Sequence, residues 1–132
     1  MTLFNFTFDL GKWSWFHPKA KVVLVVEDDA DTVEMIRRSA EMLGFQVAAA
    51  STAEEAIGIL HSNGRRFVLT MIDVKLPSID GWELRRLLHA TWPDLPIVVM
   101  SGSVESFQDM PRGEKLSVLI KPASYGEFFR SV

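Results

Sequence analysis

At 132 residues with a formal net charge of -3, the chain has the size of one domain able to bury a real core. It carries no basic stripe or Lys/Arg cluster of the kind that direct nucleic-acid binding needs. The absence of cysteine removes disulfides, thiolate metal sites and cysteine nucleophiles together.

Residues 1 to 20 come first and stand apart. Phe4, Phe6, Phe8 and Leu10 alternate as in a strand, and Trp13 and Trp15 repeat the habit after Gly11. We read this length as an aromatic-rich N-terminal arm or linker, and residues 21 to 132 as the domain proper. So many aromatics favour an ordered arm that covers a sheet edge or an apolar surface, its own or a neighbour's, over a tag-like tail. The start lacks the basic head and continuous apolar core of a secretory signal. The longest pure apolar run, Val22 to Val26, is strand-sized. No membrane insertion and a cytoplasmic location are therefore expected.

From Lys21 the pattern alternates between β-branched runs and helical periodicity. Val22 to Val26 predicts a strand buried on both faces. Val33, Ile36, Ala40 and Leu43 then recur at helical spacing, with Gly44 as the stop. Phe45 to Ala49 predicts a second strand. Ser51 and Thr52 with Glu54 and Glu55 offer a capping box for a helix facing inward with Ala53, Ala56, Ile57 and Leu60, closed by Asn63-Gly64. Phe67 to Ile72 is a third strand, and Asp80 caps a helix whose inner face is Leu84, Leu87 and Leu88. Pro93 and Pro96 bound a loop before the fourth strand, Ile97 to Met100. Ser103 to Asp109 is weakly helical, Val118 to Ile120 is a fifth strand, and Ser124 to Val132 a short last helix. Five such βα units predict an α/β fold: a parallel sheet with helices on both faces and right-handed crossovers.

Four strand ends carry chemistry. Asp73 ends the third strand and faces a loop shaped by Pro77 and Gly81, where open α/β sheets place ligands. Alone it reads as a turn residue or helix cap, yet a carboxylate can also attack phosphorus. Glu27-Asp28-Asp29 crowds three acids after the first strand, either as a solvated loop that caps the next helix or as a hard-cation site. Ser101, followed by Gly102, offers a hydroxyl donor, and Lys121, before Pro122, a point positive charge. Together they compose a site for phosphoryl transfer to Asp73, with a divalent cation to screen the anions. His17, His61 and His89 lack partners at metal-ligand spacing. Trp82 and Trp92 flank the third helix as packing residues.

From Lys21 to Val132 the chain resembles the receiver domain of two-component response regulators, the chemotaxis-regulator-like members included. The resemblance rests on Val25-Val26-Glu27-Asp28, Asp73-x-x-x-Pro77-x-x-Asp80-Gly81, Met100-Ser101-Gly102 and Lys121-Pro122 in order. It implies a flavodoxin-like, doubly wound five-stranded sheet of order 2-1-3-4-5. It also implies that Asp73 accepts a phosphoryl group from a phosphohistidine on a sensor histidine kinase or histidine phosphotransfer protein. Mg2+ is then held by Glu27, Asp28, Asp73 and the backbone carbonyl of Lys75. Ser101 corresponds to the switch hydroxyl and Lys121 to the lysine that contacts the phosphoryl group.

Such a phosphorelay switch is not a classical enzyme: Mg-dependent self-phosphorylation from a phosphodonor and autodephosphorylation are the implied activities, with output by protein–protein contact. The alternative is a pseudo-receiver that binds partners without phosphoryl turnover. An aspartyl-phosphate hydrolase of another α/β family would need a carboxylate two residues after Asp73, where Lys75 stands. The Lys75 side chain can either lean over the phosphoryl site or point to solvent.

Three departures from the family pattern appear. Val118 occupies the position near the start of strand five where an aromatic is common. Asp73 and Lys121 are 48 residues apart, a short interval that implies a short or irregular fourth helix around Ser103 to Lys115. The last helix looks truncated, so that Tyr125, Phe128 and Phe129 would leave an apolar surface suited to a homodimer or to the arm.

Overall fold

The computed structural model describes residues 21–63, 67–102, 116–121 and 123–132. The N-terminal arm, the Asn63-Gly64 turn beyond Asn63 and the weak helix between Ser103 and Lys115 therefore lie outside the described residues. In chain order the elements are β1 (Lys21–Val26), α1 (Ala30–Glu41), β2 (Phe45–Ala50), α2 (Ala53–Asn63), β3 (Phe67–Asp73), α3 (Gly81–Thr91), β4 (Ile97–Ser101), β5 (Ser117–Ile120) and α4 (Tyr125–Arg130).

The five strands form one sheet in the order β2-β1-β3-β4-β5, and every pair is parallel. The architecture expected from the alternating pattern is present, and so is the strand order. Side chains alternate across the strands and divide the interior in two. On one face Val22, Leu24, Ala48 and Ile72 pack with Ala56 and Leu60 of α2 and Leu84 and Leu88 of α3. On the other, Val23, Val25, Met71 and Met100 pack with Val33 and Ile36 of α1 and Tyr125 and Phe129 of α4. The interior strand β1 is buried over Val22 to Val26, as an uninterrupted apolar run between two helical layers should be.

Local chemistry sets the helix ends. The Asp29 side chain accepts from the Thr32 N–H (3.2 Å) and starts α1. Gly44 ends that connection at φ 87°, where a side chain would be strained. Thr52 Oγ1 accepts from the Glu55 N–H (3.1 Å), while the Glu55 carboxylate reaches back to the Ser51 N–H (2.7 Å). This is the expected capping box, closed one residue further upstream. Asp80 caps α3 through the Glu83 N–H (2.9 Å), and Ser124 caps α4.

Two inward assignments and the reading of α4 need correction. α1 ends at Glu41, before the periodicity does, so Leu43 falls in the turn and is exposed. In α2, Ile57 packs half-buried against the core as expected, and Ile59 is buried beside it. In α3, Leu87 is 38% exposed while Leu84 and Leu88 are buried. Lastly, α4 does not leave an open aromatic surface. Tyr125 and Phe129 are buried, with the Phe129 ring 5.4 Å from that of Phe45 on β2, and only Phe128 stays half-buried. A six-residue helix suffices because its two rings, four positions apart, both turn inward.

These facings give a direct test. Leu88→Ala should cost about 2–5 kcal/mol of unfolding free energy in urea titrations, and Leu87→Ala well under half of that. Equal losses would contradict the orientation of α3.

Candidate functional site

Parallel register brings the charged residues to one edge. Val26 pairs with Ile72, so Glu27 falls level with Asp73, and Asp73 pairs with Met100, one residue before Ser101. Ser101 pairs with Ile120, which puts Lys121 just beyond it. Backbone hydrogen bonds carry each ladder a residue further: Glu27 N–H to the Ala50 carbonyl (2.9 Å), Val74 N–H to Met100 (2.9 Å) and Lys121 N–H to Ser101 (2.7 Å). The site therefore stands on strand backbone rather than on free loops, which favours precise placement of its side chains.

At this edge, Glu27, Asp28 and Asp73 each offer a carboxylate oxygen, and the three oxygens lie within 4.8 Å of one another. Glu27, Asp73 and Ser101 are buried, and Asp28 is exposed. Lys121 reaches into the acids, paired with Glu27 Oε1 and 3.5 Å from Asp73 Oδ2. The Lys75 N–H donates to Asp73 Oδ1 (3.3 Å), and the Lys75 side chain is exposed. Asp29, the third acid of the triplet, is spent on the α1 cap and a hydrogen bond from the Thr32 hydroxyl. That bond holds its carboxyl below the usual aspartate range.

The electrostatics follow from one ammonium serving two buried acids. Burial pushes Glu27 up to about 7; the Asp73 carboxylate adds to the rise and Lys121 only partly offsets it. Burial pulls the Lys121 ammonium down, but Glu27 and then Asp73 more than reverse this, so it lies above the ordinary lysine value. The shared cation thus gains from both partners while Glu27 still faces a like charge. Tyr125, at the start of α4, is raised by burial.

Glu27, Asp28, Asp73 and Lys121 meet here, and Ser101 stands at the adjoining strand end. What the residue pattern did not announce is the Lys121–Glu27 pair, because 94 positions separate its members. A second unannounced feature is the close approach of Gly81. Its N–H donates to the Val74 carbonyl (2.7 Å), and a Cβ at this position would stand 2.4 Å from the Asp73 carbonyl oxygen. Asp80-Gly81 is therefore one device, in which the first residue caps α3 and the second lets the helix start against the Asp73 backbone. A third is the tie from the Ser78 hydroxyl to Glu54 (3.1 Å), which fastens the loop after β3 to α2.

An open parallel α/β sheet with carboxylates and a lysine at the carboxyl ends of its strands defines a class of domains that handle charged ligands at that edge. Residues 23–130 match the family model of the response regulator receiver domain, and the chain belongs to that family, a phosphorylation-based signalling family of two-component systems. It is 38% identical over 80 residues to the response regulator MprA of Mycobacterium sp. (strain KMS), a match covering 61% of this chain and 34% of the relative. It is 30% identical over 96 residues to the C4-dicarboxylate transport transcriptional regulatory protein DctD of Rhizobium meliloti (strain 1021), covering 68% of this chain and 20% of that protein. The chain thus spans about a third or less of the length of these relatives.

Among solved structures, a putative response regulator from Chloroflexus aurantiacus J-10-fl aligns at TM-score 0.71 and 26% identity, covering 86% of this chain and 94% of the other. The response regulator TrrA of Thermotoga maritima, solved in complex with Mg(2+)-BeF, aligns at TM-score 0.74 and 21% identity, covering 84% and 95%, and shows the shared fold. No helix among the described residues is long and apolar enough to cross a membrane.

Two outcomes follow from the site. With its folded pKa above the ordinary 4.5, Glu27 favours the folded state fully below that pH, and this contribution is lost as pH rises through about 7. In metal-free protein, unfolding free energy should therefore fall more steeply with pH across this window in the wild type than in Glu27→Gln, measured by urea titration at each pH. Gly81→Ala should destabilise by about 1–3 kcal/mol, because the atoms that its Cβ meets are backbone. Unchanged stability would mean that the start of α3 is not held against Asp73.

Proposed function

We propose that this chain is a phosphorylation-dependent signalling switch in which Asp73 accepts a phosphoryl group from a phosphohistidine of a sensor histidine kinase or histidine phosphotransfer protein. The observation that carries the reading is the meeting of three carboxylates within 4.8 Å with a lysine ammonium 3.5 Å from Asp73. A carboxylate oxygen of Asp73 attacks phosphorus, the P–N bond breaks, and the imidazole nitrogen leaves with its electron pair. Water attack on the resulting acyl phosphate resets the switch.

The donor set fits a hard divalent cation, since it is composed of carboxylate oxygens clustered at one point. Glu27, Asp28 and Asp73, with the backbone carbonyl of Lys75, would hold Mg2+, which when bound screens the negative charge of the incoming phosphoryl oxygens. Lys121 provides a fixed positive charge for those oxygens, and its existing contact to Asp73 Oδ2 already aims it at the acceptor. Ser101, buried at the end of β4 and bonded through its carbonyl to the Lys121 N–H, provides the hydroxyl that answers the new negative charge. Lys75 keeps its N–H on Asp73, so its exposed side chain is a solvent-side neighbour of the acceptor.

We assign residues 21–132 to the receiver domain and residues 1–20 to an arm or linker, in a cytoplasmic protein whose output is protein–protein contact, homodimerisation included. Direct nucleic-acid contact and membrane insertion by this chain form no part of the reading.

The test is incubation with acetyl phosphate and Mg2+ followed by intact-mass measurement. The wild type should gain one phosphoryl group, and Asp73→Asn none. Addition of a chelator should abolish the gain, and Lys121→Ala should slow it at least about tenfold, the loss of one aimed charge. A wild type that gains no mass would leave only a partner-binding module.

A further inference from the structure

A small apolar cluster sits apart from the two main cores, at the end of the sheet where Asp73 and Ser101 stand. It comprises Val74, Trp82 and Val99, all buried, with Leu116 and Val118 packed against it. Each member adjoins a functional position. Val74 follows Asp73, Val99 lies two residues before Ser101, and Val118 pairs with Val99 across the β4–β5 ladder.

Trp82 gives this cluster its volume. It precedes Leu84 by two positions and Leu88 by six, so on a regular helix it lies about 160° and about 120° around α3 from them. The indole therefore lies beside the Leu84–Leu88 stripe rather than within it, and it is buried, at 5% exposed, against Val74 and Val99. Its backbone is tied closely to the acceptor strand, since the preceding Gly81 donates to the Val74 carbonyl at 2.7 Å and lies against the Asp73 backbone. A shift of Asp73 or Ser101 must carry Val74 or Val99 with it, and close-packed side chains pass such shifts on rather than absorb them.

The receiving element is β5, the edge strand of the sheet. Among the described residues it is bonded on one side only, to β4, and its four residues are exposed or half-buried, with Ile120 at 52%. An edge strand can move without breaking a second ladder. Because the cluster is separate from both main cores, its repacking leaves them intact.

We propose that Trp82 is the element through which occupancy of the Asp73 site reaches strand β5. The proposal rests on the reading of Asp73 as acceptor. Val118 has no ring to swing, and the rigid plate that links the two strand ends to β5 is supplied from α3 instead. Phosphorylation displaces Val74 and Val99, Trp82 follows, and Leu116 and Val118 shift at the exposed edge.

The test uses the full chain labelled with nitrogen-15, with acetyl phosphate and Mg2+, phosphoryl occupancy being read in parallel by intact mass. In the wild type, the Trp82 indole N–H and the Leu116, Val118 and Leu119 amides should shift together as Asp73 fills. In Trp82→Leu, at matched occupancy, most of the β5 shift should be lost, whereas Trp82→Phe should retain it. β5 shifts of wild-type size in phosphorylated Trp82→Leu would overturn the proposal. So would a wild type that gains phosphoryl mass while the Trp82 indole resonance stays still, a measurement that needs no variant to fold. A wild type that gains no mass would instead sink the acceptor reading beneath it.

Discussion

Lys121 stands between two buried carboxylates, and the site depends on that arrangement. Taking even one uncompensated charge out of water costs several kcal/mol, and two like charges side by side cost more. Lys121 offsets part of this by pairing with Glu27 and approaching Asp73. The remainder is visible in Glu27, whose proton affinity rises first through burial and then through the Asp73 carboxylate, with Lys121 offsetting only part. An edge with excess negative charge, held on rigid strand ends, favours a divalent cation, and its lysine favours anionic oxygens. The two preferences together are the physical basis of the proposed phosphoryl acceptance at Asp73.

The sheet makes this arrangement possible and also confines it. β1, β3 and β4 are buried by helical layers on both sides, so their carboxyl ends cannot drift apart without disturbing a core. β5 lies outside that constraint, as an edge strand with partial burial. The Val74–Trp82–Val99 cluster lies between the site and this less buried strand. Gly81 belongs to the same join, because the absence of a side chain lets α3 start in contact with the Asp73 backbone.

Much of the fold was legible because its signals are local. The apolar run of β1, the Asp80 cap and the Gly44 stop each act within a few residues, and each is found where the pattern put it. Facing was less legible. Leu43 and Leu87 fit a helical period yet point to solvent, since a period describes a stripe and not its width or its end. The aromatics of α4 looked uncovered because their partner ring, Phe45, belongs to a strand about eighty positions upstream. Trp82 read as ordinary packing, and nothing in its neighbours along the chain separates a ring that anchors a helix from one that bridges strand ends.

By itself, the sequence determined the alternation of strands and helices, the family and the candidate set Glu27, Asp28, Asp73, Ser101 and Lys121. Those properties follow from residue type and short-range spacing. Only the tertiary structure decided that Lys121 pairs with Glu27, that Gly81 abuts the Asp73 carbonyl, and that Trp82 packs with Val74 and Val99 in a cluster of its own. Each of these depends on strand register and on which helix lies over which face. Such contacts join residues that share no local pattern, and only the closed fold brings them within reach.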